Sequence, residues 1–359
     1  MQNFLMDTLE AARQSTAYQN YLSVRGQVLA MLEEAAQLGD LSSNYWQEEL
    51  AGFSYMLDAS PLIVARLREH CYHLTGLRSY DYRQHHKHQQ DGFVRKLAAL
   101  RRQDSDDLFV PESPLLGGFG YKIGDGLVNV DTLKFYEALI ALNRGGLLSQ
   151  FRRPGNPRKI VLEIGAGWGG FAYQFKTLCP DVCYVIVDLP QTLLFSAVYL
   201  KTLFPQATIL VYGDRPDADL MANCRVADFV FLPNFFLDRL DLPALDLAIN
   251  MVSFQEMTTD QVTGYVRKIY DLGCPNVYSL NRDRSAHNTQ LTTVSSILEQ
   301  YYQLAEVEVL DIAYGAMPPP EPAGNWRQAL KLARALIQRR PQRTIHDYRH
   351  LIGARTFGV

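Results

Sequence analysis

The chain has 359 residues, 47% of them hydrophobic and 20% charged, with a formal net charge of −3. That length suits one large or two ordinary domains, and the near-neutral balance excludes a global electrostatic case for nucleic acid or an anionic membrane surface as partner. No apolar run approaches the roughly 18 residues of a membrane span, and MQNFLMDTLEAAR carries acids where a secretory leader carries bases, so a cytoplasmic protein is expected.

In chain order, residues 1–125 read as a mainly helical region without a strand-helix rhythm. Ser60-Pro61 predicts a helix start, Ser as N-cap and Pro in the first turn, with Ile63, Leu67 and Cys71 following on one face. The stretch from Arg78 to Arg102 is basic and contains His85, His86 and His88. Adjacent histidines on a helix diverge, so a solvated polar face is expected there rather than a metal site. Pro111, Pro114 and the glycines at 117, 118, 120, 124 and 126 then break regular structure and mark a lid, hinge or linker.

Asp131 reads as the N-cap of a helix carrying Leu133, Tyr136 and Ile140, and Pro154-Gly155-Asn156-Pro157 as a turn. Strands are expected at 160–164, 183–187, 208–212, 229–232, 245–251 and 277–280, followed by a helix near 291–302 and a last strand at 307–310. This alternation predicts an α/β fold, a Rossmann-like parallel sheet with helices on both faces. Prolines 318–320 and 322 interrupt it, and Asn325 caps a closing helix. The expected units are 1–125, a helical lid, substrate or dimerisation region; 126–317, the cofactor domain; and 318–359, a helical extension. The five cysteines lack zinc spacing and read as buried free thiols.

The most informative segment is Lys159 to Gly170, KIVLEIGAGWGG, a buried-type strand running into glycines, with Val187-Asp188-Leu189-Pro190 ending the next strand. Gly165-x-Gly167-x-x-Gly170 satisfies a dinucleotide fingerprint, and Asp188 lies where an acid would bind ribose hydroxyls. An NAD(P)-dependent oxidoreductase is therefore one reading. Glu163 argues against it, because an acid entering the loop repels a pyrophosphate and suits a cationic cofactor.

The pattern Glu163-x-Gly165-x-Gly167-x-Gly169 followed by Asp188 resembles class I S-adenosylmethionine (SAM) dependent methyltransferases, over roughly residues 126–315. More narrowly, Val187-Asp188-Leu189-Pro190-Gln191-Thr192, Asn250-x-x-Ser253-Phe254-Gln255-Glu256-Met257, and Gly52-Phe53-x-Tyr55 with Ser60-Pro61 are similar to bacterial sugar O-methyltransferases. The resemblance implies a class I methyltransferase sheet and SAM as cofactor, held by Glu163, Gly165, Ala166, Gly167, Gly169, Asp188, Leu189 and Ser253. For the adenine ring, Gly213-Asp214 competes with Asn234 and is slightly favoured.

The implied reaction is an in-line displacement onto a hydroxyl of a sugar or sugar-containing metabolite, which needs a base, or a metal that lowers the hydroxyl's pKa. A divalent metal stays open, although no spacing points to one. Two loops at strand ends are the candidates. One carries Glu256 as base and Gln255 as an acceptor ligand; plant-type O-methyltransferases have a His-Asp pair near there, which this chain lacks. The other carries Asn281, Arg282 and Asp283 for the acceptor, with His287 as a second candidate base. The partner expected is a small-molecule or saccharide acceptor, neither nucleic acid nor membrane, with self-association left open. A methyltransferase-like binding protein without turnover is the remaining alternative.

Overall fold

The structure, a computed structural model, describes residues 2–39, 44–83, 89–155, 157–285, 288–310, 312–318 and 347–356. His85, His86, His88, His287 and the expected C-terminal helix lie outside the described residues.

A hairpin, β1 (Tyr121–Ile123) and β2 (Gly126–Val128), occupies the Pro- and Gly-rich break. The main sheet contains β3 (Lys159–Ile164), β4 (Val182–Asp188), β5 (Ile209–Val211), β6 (Phe229–Pro233), β7 (Leu247–Met251), β8 (Asn276–Arg282), β9 (Tyr302–Glu306) and β10 (Tyr348–Arg355). Their order is β5-β6-β4-β3-β7-β8-β10-β9; the first six are parallel, and β10 runs antiparallel between β8 and β9. This is the expected Rossmann-like α/β sheet. The order reverses at β3, where ligand crevices form in such sheets.

Both faces are covered, so the central strands are apolar throughout. Val161, Tyr184, Ile186, Phe229 and Ile249 point to one hydrophobic cluster, shared with the helices Val130–Arg144, Gly170–Leu178 and Pro190–Leu203. Ile160, Leu162, Ile164, Val185 and Val230 point to the other, beneath the helix Thr259–Asp271. The N-terminal region is not a separate unit: Tyr21, Val24, Val28 and Met31 of the helix Thr16–Leu38 join the first cluster. Phe53 meets Phe195 edge-on at 5.5 Å between ring centroids. No helix among the described residues is long and apolar enough to cross a membrane.

Several expectations are corrected. The last strand is not 307–310, and the sheet does not end at 317, because β10 inserts between β8 and β9. At β10, Gly353 lets the strands close, since a Cβ there would meet Val277 Cγ1 at 2.5 Å. Asn129, not Asp131, caps the helix Val130–Arg144 through a reciprocal box with Thr132, which leaves Asp131 buried for another role. Ser60 does cap a helix, but only over Pro61–Val64, and a separate 3₁₀ turn, Leu67–Cys71, carries the next residues. The helix near 291–302 shortens to Val294–Leu298.

Candidate cofactor and acceptor site

At the C-terminal ends of β3, β4, β6 and β7 the chain encloses a cavity of about 500 Å³. Glu163, Gly165, Ala166, Gly167, Asp188, Leu189, Asn234, Ser253 and Glu256 all line it. Residues far apart in sequence thus meet where parallel strands point their carbonyl ends.

The loop after β3 is shaped by backbone that side chains resist. Gly165 has φ 72°, and a Cβ there would lie 2.2 Å from Ser253 Oγ. Ser253 Oγ donates to the Ile164 carbonyl at 3.2 Å, and Asn250 Nδ2 donates to the same oxygen at 2.8 Å, so the ends of β3 and β7 are stitched beneath the loop. Gly167 has φ 58° with open space where its Cβ would stand, and its N–H donates to Asp188 Oδ2 at 2.8 Å. Gly169 does not line the cavity. It begins the helix Gly170–Leu178, and a Cβ there would press on Ser196 at 3.1 Å.

Five acidic residues line this space: Glu163, Asp188, Asp238, Glu256 and Asp260. Burial pushes Glu163 up to about 8, with Asp188 adding to the rise and the hydrogen bond from Tyr184 Oη at 2.9 Å opposing it. Burial also pushes Asp188 up to about 6, against bonds from Thr192 and from the Leu189 and Gly167 amides. Glu256, half-buried, is pushed up to about 8 by burial and by Glu49 and Asp188, with Lys134 and Arg282 opposing. Such a cavity rewards a cationic guest, which restores the ionised forms that burial disfavours.

The other predicted residues lie elsewhere. Gly213 and Asp214 close a turn at the sheet edge: Asp214 accepts the Val211 amide at 2.8 Å and pairs with Gln27, and neither lines the cavity. The third-strand position beside β4 belongs to β6, where Phe229, Val230, Phe231 and Leu232 are fully buried, whereas three-residue β5 takes the edge. A wholly apolar run favours the interior of a sheet, and that signal was present in the sequence.

Of the four expected acceptor ligands, none lines the cavity. Asn281 donates to Asn250 Oδ1 and Ser279 Oγ inside the strand layer. Gln255 accepts the Arg282 amide and donates to Tyr348 Oη. Arg282 lies over the Tyr348 ring at 4.5 Å, and Asp283 binds Arg349 and the Ser295 amide. Gln255, Arg282 and Asp283 fasten β10, and Asp283 also the helix Val294–Leu298, a demand invisible without β10.

Residues that the sequence did not point to complete the walls. Trp46, Leu74 and Thr75 come from the N-terminal region, Lys134 and Phe135 from the helix Val130–Arg144, and Tyr265 and Tyr314 from further on. Val252 also lines the cavity, with φ 64°, a conformation that a β-branched residue rarely adopts. Among the described residues, no group of three His, Cys, Asp or Glu side chains could hold a metal ion.

No protein-family model matches the chain, and no curated protein matches it in sequence. Among solved structures it is similar to phosphoethanolamine N-methyltransferase 2 of Haemonchus contortus in complex with S-adenosyl-L-methionine, at 10% identity and a TM-score of 0.33, covering 66% of this chain and 62% of that one. It is also similar to magnesium protoporphyrin IX methyltransferase from Synechocystis PCC 6803 with bound SAH, at 10% identity and TM-score 0.35, covering 65% and 90%. A third is precorrin-6y C5,15-methyltransferase from Geobacter metallireducens, at 13% identity and TM-score 0.33, covering 59% and 87%. The chain thus spans under two thirds of the Haemonchus protein's length.

Proposed function

We propose that this chain is a SAM-dependent O-methyltransferase acting on a hydroxyl of a sugar or sugar-containing metabolite. One observation carries the cofactor: Asp188 and the glycine loop are hydrogen-bonded together in an acid-lined cavity. The residues fit the group. Each Asp188 oxygen accepts one backbone N–H, at 2.8 and 2.7 Å, and beyond these and the Thr192 contact the carboxylate keeps acceptor capacity for a ribose hydroxyl. Glu163 faces a cavity whose acidic residues outnumber its lining cation Lys134, which suits a sulfonium and ammonium better than a pyrophosphate. In this reading Asn234 and Phe235, at the end of β6, attend the adenine ring.

When bound, SAM supplies an electrophilic methyl group. The protein's part is to hold an acceptor oxygen in line with it and to receive the proton. Glu256 is the base in this reading, since a group titrating near neutrality both accepts and releases a proton readily. Trp46, Leu74, Thr75 and Tyr314 wall the cavity against water. The sugar assignment rests on the sequence resemblance, with His287 as the second candidate base.

Calorimetric titration of the full chain tests the cofactor. SAM should bind and NADH should not; the opposite outcome overturns the reading. Transfer of labelled methyl from SAM to a panel of neutral glycosides, with catechols and amines in parallel, tests the acceptor. Label appearing only in catechols or amines would remove the sugar.

A further inference from the structure

We propose that Arg68 is a positioning residue for the cofactor loop, acting through Trp168, so that it governs cofactor affinity from outside the cavity. The proposal rests on the reading that this cavity takes SAM.

Arg68 is fully buried and does not line the cavity. Its Nε donates to Glu112 Oε1 at 2.8 Å and its Nη2 to Asp131 Oδ2 at 2.9 Å. Its guanidinium lies 3.7 Å from the centre of the Trp168 ring. Trp168 Nε1 donates to the same Asp131 oxygen at 3.2 Å, and the Tyr199 ring meets it edge-on at 4.9 Å. The ring is therefore held on its face, at its edge and at its polar atom.

What this ring anchors gives it meaning. Trp168 stands between Gly167 and Gly169, both with positive φ, in a stretch whose glycine content favours many unfolded conformations. Gly170 makes room for the ring, since a Cβ there would lie 2.2 Å from Trp168 Cζ2. Trp168 is thus the one large side chain among residues 165–170. Pinning it pre-pays the ordering of the Gly167 amide that binds Asp188, and pre-ordering is what raises affinity without new contacts. Asp131 also holds Lys134 Nζ at 2.9 Å, so the same network fixes a second part of the wall.

Charge alone does not make this arrangement. A planar guanidinium can stack on an indole while sending hydrogen bonds to two carboxylates; an ammonium cannot do both. Glu112 is tied in turn by Asn129 Nδ2 at 3.0 Å, so the β1–β2 hairpin segment and the cap of the helix Val130–Arg144 join the anchor.

The test measures SAM affinity of the full chain by calorimetry and amide hydrogen exchange at Gly165–Gly169 without ligand, in the native sequence, Arg68→Lys, Trp168→Phe and the double variant. Arg158→Gln serves as control, because Arg158 pairs with Asp228 near the opposite end of β3. Each single variant should weaken SAM about tenfold and speed loop exchange, and the double should be no more than about twofold worse than the weaker single, as for coupled residues. Arg158→Gln should lower the melting temperature yet leave SAM affinity unchanged. Affinity within about twofold of native in Arg68→Lys, with unchanged loop exchange, would overturn the proposal. So would an equal loss of affinity in Arg158→Gln. Trp168 itself lines the cavity, so if Arg68→Lys does not fold, loop exchange in ligand-free Trp168→Phe decides: native exchange there overturns the proposal. A native chain that fails to bind SAM refutes the cofactor reading instead, and loop exchange then decides the anchor.

Discussion

Gly167 donates its backbone N–H to Asp188 Oδ2 across 2.8 Å, joining the loop after β3 to the end of β4. This bond orients the carboxylate that the cofactor reading assigns to ribose. Replacing Asp188 by Ala removes that acceptor and the loop's partner together. Hydrogen bonds to a charged group contribute about 1.5–3 kcal/mol, so SAM affinity should fall by about tenfold to a hundredfold. Isothermal titration checks this; unchanged affinity would show that Asp188 serves the loop and not the ligand.

The raised carboxyls set the pH dependence. Glu163 and Glu256, each up at about 8, hold protons in the folded state at pH values where the unfolded chain has released them. Their contribution is complete below about pH 4.5, the unfolded value, and is lost as pH rises through about 8. The melting temperature of the ligand-free protein should therefore decline over that window, with a shallower slope in Glu163→Gln. A cationic ligand favours the ionised forms, so SAM should bind more tightly as pH rises from about 6 to 8, releasing protons. Titrations in buffers of different ionisation enthalpy would count those protons.

Glu256→Gln should leave SAM affinity within about threefold while lowering the rate of methyl transfer by about a hundredfold or more, the range for loss of a general base. His287→Ala in parallel separates the two candidates. Unchanged rates in both variants would remove the catalytic assignment.

Val252, at φ 64°, tests backbone strain at the cavity. Glycine adopts this conformation freely and alanine does not, so Val252→Gly should be more stable than Val252→Ala by about 1 kcal/mol, although glycine is ordinarily the more destabilising choice. Denaturant unfolding of both variants measures the difference. Alanine as the more stable of the two would show that the conformation carries no strain.

A chain ending at 317 loses β10 and exposes facing edges of β8 and β9. It should lack a cooperative thermal transition, readable by circular dichroism, because a strand paired on both sides is missing rather than a peripheral helix. A normal melt from that truncation would mean that β10 is dispensable.

The sequence by itself determined the alternation of strands and helices, the glycine loop, Glu163 and Asp188. These are local signals: β-branched apolar runs mark buried strands, and a turn hard against a ligand requires glycine within a few residues of the strand end. Strand order was not local. The edge position of β5 and the inner position of β6 followed from which run could be buried on both faces, and that placed Asn234, and not Gly213-Asp214, on the cavity wall. Strand β10 was hidden because His350, Gly353 and Arg355 interrupt its apolar pattern, and its insertion engages Gln255, Arg282 and Asp283, side chains that the sequence offers to an acceptor. Only the tertiary structure could bring Trp46, Lys134 and Tyr314 to one cavity and Arg68 to Trp168, because such meetings depend on packing between elements far apart in the chain and leave no periodicity behind.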